Sequence, residues 1–164
     1  MTEAVKAFEG FVGGLDYPMY VVTAFDGTTR AGCLVGFTTQ CSIDPPRFLV
    51  CVSVNNHTHA VAAGAEAVAV HLLRAEQHDV AELFGSGCGA EVDKFARVSW
   101  APGPEGVPVL ADCAGWFAGR VLARLRLGDH TGLLVEPVAG RAPSEGAETL
   151  RFAHVHDLEP GHPA

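Results

Sequence analysis

The sequence predicts a mainly β chain with short helices, its strands closing or nearly closing into an antiparallel barrel. Three observations lead there. Short runs rich in β-branched and aromatic residues recur along the chain, punctuated by Gly, Pro and Asp. Hairpin connections join most of the strands, and helices do not alternate with them regularly, which argues against a doubly wound parallel sheet. No repeat or linker divides the 164 residues, so a single domain over 1–164 is expected.

Val5, Phe8, Phe11 and Val12 fall at helical spacing and predict a helix over 3–13 that stops at Gly13-Gly14. Residues 17–25 read as a strand, Asp26-Gly27 as a hairpin turn, and 31–40 as the return strand. Pro45-Pro46 removes two backbone donors and sets a corner before a third strand at 47–54. A short helix over about 58–64 follows, with Thr58 as its N-cap, then a strand at 67–73 and a helix at 76–85. Three prolines keep 101–108 irregular. From about 112 a long strand places Arg120, Arg124 and Arg126 on one face, read as solvated, and Val121, Ala123, Leu125 and Leu127 on the other. Gly128-Asp129 turns into a partner strand at 131–140. The core is expected at about 10–140, with 141–164 as a C-terminal extension ordered only near 150–158.

Composition excludes several functions. A formal net charge of −8 opposes general nucleic-acid binding, which needs a positive surface against phosphates. No apolar run approaches the ~20 residues of a membrane span, and the N-terminus shows no basic start followed by an apolar block. Cytoplasmic location is expected. Cys33, Cys41, Cys51, Cys88 and Cys113 form no Cys-x-x-Cys pair, so they read as free thiols in a reducing compartment.

Motif by motif, simpler readings compete with functional ones. The glycines of "GSGCG" (85–89) follow a helix instead of opening one, so a connection is the better reading than a nucleotide loop. His57/His59 and His154/His156 are metal-ligand candidates with no acidic or cysteine partner set by the sequence, and no metal is expected. No Ser or Cys has an identifiable base, which disfavours a hydrolase. The junction "NNHTH" (55–59) is more informative. A strand ends and a helix begins there, exposing unpaired N–H groups, and Ser53, Asn55, His57 and Thr58 add donors around one oxyanion. An ordinary capped helix explains that motif equally well when it is taken alone.

Taken in order, the segments "YPMYVVTAFDG", "SIDPPRFLVCVS", "NHTHAV", "DKFARVSW", "GVPVLADCAGWF" and "GDHTGLLVEPV" resemble the flavin reductase-like family, over roughly residues 10–140. The resemblance implies an FMN-binding split β-barrel, antiparallel and Greek-key-like, assembled as a homodimer with flavin near the subunit interface. It implies FMN, or FAD or another flavin, as cofactor and NADH or NADPH as co-substrate. A separate monooxygenase that receives reduced flavin is a further implied partner. Carried over by position, Gly36, Phe37, Thr38, Thr39, Gln40, Cys41 and Ser42 would serve the isoalloxazine edge. Ser53, Asn55, His57 and Thr58 would face the ribityl-phosphate, with Lys94 as counter-charge, and His130 would sit where a nicotinamide stacks. The chain departs from the family at Leu34, Val35, Gly36 and Phe37, where many members carry Thr, Asn or Ser. That departure keeps two alternatives open: a non-catalytic binder of flavin or another planar cofactor, and a split-barrel enzyme using a deazaflavin.

Overall fold

In the computed structural model, residues 1–87, 89 and 91–161 are described, so Cys88 lies outside the described residues. Thr2 opens the first helix: its Oγ1 accepts the Val5 N–H at 3.3 Å, and Gly13-Gly14 ends α1 (Glu3–Gly13) where the periodicity predicts. None of its residues is buried. The strand β1 (Tyr20–Phe25) then turns through Asp26, whose Oδ1 accepts the Thr28 and Thr29 N–H groups at 2.9 and 2.7 Å, into β2 (Arg30–Val35).

The return strand predicted over 31–40 is corrected here. It breaks at Gly36-Phe37 and resumes as β3 (Thr38–Ser42), which pairs with β4 (Arg47–Ser53) and not with β1. The elements that follow are α2 (His57–Gly64), β5 (Ala67–Leu72) and α3 (His78–Ser86). A second correction concerns α2: Asn56 is its N-cap, with Oδ1 accepting the Thr58 N–H at 2.9 Å, so Thr58 lies inside the helix. The segment expected to be irregular holds β6 (Trp100–Pro102) and β7 (Pro108–Leu110), a separate two-stranded sheet. Its two prolines face each other at the end of the ladder, where few donors are needed. The long hairpin is β8 (Gly115–Arg126) and β9 (His130–Arg141), turning at Gly128, whose φ of +102° lies in the region that favours glycine.

Seven strands form one antiparallel sheet in the order β2-β1-β5-β8-β9-β4-β3. Its two edge strands are joined by Gly36 and Phe37 alone. Edges held that close require the sheet to curl until they meet, which makes a barrel. Alternate residues fill it. Val22, Ala24, Cys33, Val35, Val50, Val52, Val68, Val70, Leu133 and Val135 form one buried cluster, and their small β-branched side chains suit the narrow interior.

Outside the barrel a second cluster joins Met19 and Val21 to Leu73, Phe84 and Leu110, together with Leu150 and Val155 from the C-terminal segment. That segment was expected beyond the core. Instead Leu150 is fully buried, its N–H donates to Leu73 O and its carbonyl accepts from Met19 N, both at 2.9 Å. His71 lies in the same layer. Burial pulls its imidazole down to about 4, and the neutral ring bridges Val21 O and the Leu110 N–H at 2.9 and 3.0 Å.

On the arginine face of β8, Arg120, Arg124 and Arg126 are exposed as expected, and Arg124 has a further role. Arg124 donates to the carbonyls of Ala62 and Ala65 at the C-terminus of α2, where backbone acceptors lack partners. A register shift between Val121 and Ala123 breaks the strand's alternation, and Leu125 and Leu127 stand about half exposed at 44% and 50%. Among the described residues, no helix is long and apolar enough to cross a membrane.

Candidate functional site

Gly36 and Phe37 leave the ladder as the chain crosses from β2 to β3, and beside them a cavity of about 290 Å³ opens. Its walls bring together four of the residues singled out in the sequence: Gly36, Phe37, Ser53 and His130. Strand pairing explains the meeting of the last two, because Ser53 on β4 lies opposite His130 on β9. Gly36 is required for close approach: a side chain there would run into the Tyr17 ring.

One side of the cavity is aromatic. The Phe37 and His130 rings lie 5.3 Å apart and tilted, and Phe37 reaches Tyr17 at 6.3 Å. Opposite in character, Ser53 and Asn56 form a polar end next to the start of α2. His130 is oriented by its neighbour: its Nδ1 donates to Asp129 Oδ1 at 2.7 Å, and this hydrogen bond, more than the charge of the ring, holds the Asp129 carboxyl below its usual range. Cys33 and Cys51 also line the cavity. Burial pushes the Cys33 thiol up to about 11 and raises Cys51 as well, so both are neutral thiols and neither is an activated nucleophile.

Other predicted positions lie elsewhere. Thr38 is half-buried beside the Tyr20 hydroxyl. Thr39, Gln40 and Cys41 are exposed along edge strand β3, and Ser42 pairs with Arg47 at its end; none of the four lines this cavity. Gln40 contributes instead to a different hollow of about 210 Å³ with Phe48, Phe117 and Pro137. At the start of α2, Asn55 is exposed and donates its N–H to Ser53 Oγ, His57 is half-buried with its ring against Gly89, and Thr58 is buried against Cys33. Lys94 is 4% exposed, and its ammonium donates to Gly32 O and Phe84 O, both at 3.1 Å, near the C-terminal end of α3. An ammonium on those carbonyls stabilises that helix end, and Lys94 also lines a separate cavity of about 300 Å³ with Arg30, Gly89 and Asp93.

Sequence reasoning missed Tyr17, Asn56, Phe152 and Pro160, which line the same cavity. Asn56 was legible as a cap residue before a helix. Phe152 and Pro160 arrive from a segment with no periodicity, so no local pattern marks them.

The whole arrangement has known counterparts. The family model described as flavin reductase like domain matches residues 12–158. The chain belongs to this family. Among curated relatives of this flavin reductase-like chain, the stachydrine N-demethylase reductase subunit Stc3 of Rhizobium meliloti is 33% identical over 90% of the chain and 63% of its own length. FMN reductase (NADH) RutF of Bradyrhizobium diazoefficiens is 31% identical over 73% and 66%. A third relative is matched over only 38% of its length, so the chain spans about two fifths to two thirds of these relatives. The solved structure of the Streptomyces globisporus NADH:FAD oxidoreductase SgcE6 superposes with a TM-score of 0.79 at 27% identity, covering 93% of this chain and 89% of that one. The expected split barrel is therefore the fold observed.

The cavity also fits a flavin by its chemistry. An aromatic and aliphatic wall suits a planar tricycle, and the polar end at the N-terminus of α2 suits a phosphate.

Proposed function

We propose that this flavin reductase-like chain binds FMN in the cavity between Phe37 and His130 and uses NADH or NADPH to reduce it. The observation that carries this reading is the cavity itself, which joins an aromatic wall to the start of α2 through Ser53 and Asn56. When bound, the flavin would supply a redox-active ring able to take a hydride from the dihydronicotinamide and a proton from solvent. The chain's own residues position and exclude water. Phe37 and Tyr17 confine the ring, and Ser53, Asn56 and the start of α2 hold the ribityl-phosphate. His130, locked by Asp129, presents its other ring nitrogen to the site.

The assembly we propose is a homodimer. On α1, Val5, Phe8, Phe11 and Val12 are 37–70% exposed, and Leu125 and Leu127 add exposed apolar surface. Four free thiols among the described residues suit a reducing compartment such as the cytoplasm. A relative named as the reductase component of a 4-hydroxyphenylacetate 3-monooxygenase supports handing reduced flavin to a separate oxygenase. A second reading, flavin binding without turnover, is favoured by the apolar Leu34, Val35 and Phe37 on the cavity wall.

The test is to mix purified protein with FMN and NADH and follow the absorbance of both. Flavin binding without nicotinamide oxidation would leave the binding protein, and no flavin binding would sink both readings. Asn56→Asp keeps the N-cap acceptor but sets a carboxylate at the phosphate end. It should weaken FMN binding about tenfold or more, the loss expected for a charge-assisted contact, while riboflavin binding barely changes. Equal losses for both ligands would remove Asn56 from the phosphate site.

A further inference from the structure

The C-terminal segment does more than cover the barrel. Arg151 pairs with Asp16 at 2.7 Å, the Ala153 N–H donates to Asp16 Oδ1 at 3.0 Å, and the Phe152 N–H donates to Tyr17 O at 2.9 Å. These bonds fix the Phe152 ring flat on Tyr17, with centroids 5.0 Å apart and planes 18° from parallel. Tyr17 in turn meets Phe37, and Phe37 meets His130, so four rings make a continuous arc along the cavity. The two rings toward solvent are Phe37, 55% exposed, and Phe152, 39% exposed. At about 290 Å³ the cavity has room for one planar ring system, which leaves a second ring to its solvent side, where Phe37 and Phe152 are exposed.

We infer that Phe152 is a specificity-determining residue: carried by the C-terminal segment, it is the outer wall that receives the planar carboxamide ring of the nicotinamide co-substrate at the mouth of the flavin cavity. This rests on the reductase reading of the same cavity. Phe152 acts on the second ring and not on the flavin: along the arc, Tyr17 and Phe37 separate it from His130, which lies opposite Ser53 in the strand register. The backbone bonds of 151–153 hold the wall in place before any ligand arrives, so little freedom is lost on stacking.

The experiment compares wild type with Phe152→Leu, which keeps apolar bulk, and Phe152→Tyr, which restores a ring. On FMN-loaded protein, the charge-transfer absorbance produced by a non-reducing tetrahydronicotinamide analogue reports stacking without needing turnover. Phe152→Leu should weaken that analogue and raise KM for NADH about three- to tenfold, the value of one aromatic pair. FMN affinity should stay unchanged, and Phe152→Tyr should restore KM. Weaker FMN binding with unchanged KM would place Phe152 on the flavin wall and overturn the inference, as would no change in either quantity. If wild type binds FMN but never oxidises NADH, the reductase reading falls, and the charge-transfer titration still decides whether Phe152 receives the ring. Absence of the band in wild type overturns the inference outright.

Discussion

The two ends of the chain invert the usual relation between regularity and burial. At the N-terminus, α1 is a capped helix of 11 residues with a coherent apolar face, yet it buries nothing within the chain. At the C-terminus, residues 148–158 have almost no regular structure, yet Leu150 is fully buried, Val155 nearly so, and Phe152 lines the cavity beside Gly36 and Phe37. Periodicity reports which side chains share a face; it does not report what that face meets. Backbone hydrogen bonding to distant strands does, and only the C-terminal segment has it, through Leu73, Met19 and Tyr17.

The largest way to break this contrast is Leu150→Ala. A buried leucine truncated in a packed layer should cost about 2–5 kcal/mol, read as a lower urea midpoint at unchanged slope. A loss typical of a surface site would show that the C-terminal segment is not part of the cooperative unit.

Next in size is the acid response of the layer that Leu150 caps. His71 is held neutral, mainly by desolvation, with its folded value pulled from 6.5 to about 4. Between those values the unfolded chain binds more protons. Stability is therefore complete above about pH 6.5 and falls as pH drops toward 4, by on the order of 3 kcal/mol. Urea midpoints across this window should flatten in His71→Gln, relative to each protein's stability at neutral pH. In amide exchange, the Leu150 N–H should be lost together with β1 and β5. Earlier loss of Leu150 would separate the segment from the core.

The smallest effect is expected at α1. Phe8→Ser with Phe11→Ser should change the folding stability of the monomer by no more than about 0.5 kcal/mol per site, while light scattering shows weaker assembly of two copies. A fall in monomer stability rivalling that of Leu150→Ala would place α1 on its own chain.

Much of the barrel was legible because its signals are local. Runs rich in β-branched and aromatic residues marked β1, β4 and β5, and the turns at Asp26-Gly27 and Gly128-Asp129 need only neighbouring residues. Of the site, Gly36, Phe37, Ser53 and His130 were placed through family resemblance, and strand register brought them together. For Lys94, a lone lysine before a phenylalanine shows nothing of the two carbonyls that hold it. Thr39 to Ser42 were placed at the flavin edge through the same resemblance; they lie on edge strand β3, outside the lining of this cavity.

By itself the sequence determined the type and order of most elements, since propensity, capping and turn chemistry act over a few residues. Partner choice belonged to the tertiary structure. Residues 31–40 read as one strand because nothing local distinguishes a residue paired with β1 from one paired with β4. Closing the barrel splits that run at Gly36-Phe37, and the gap at the split is where the cavity and its aromatic arc are built.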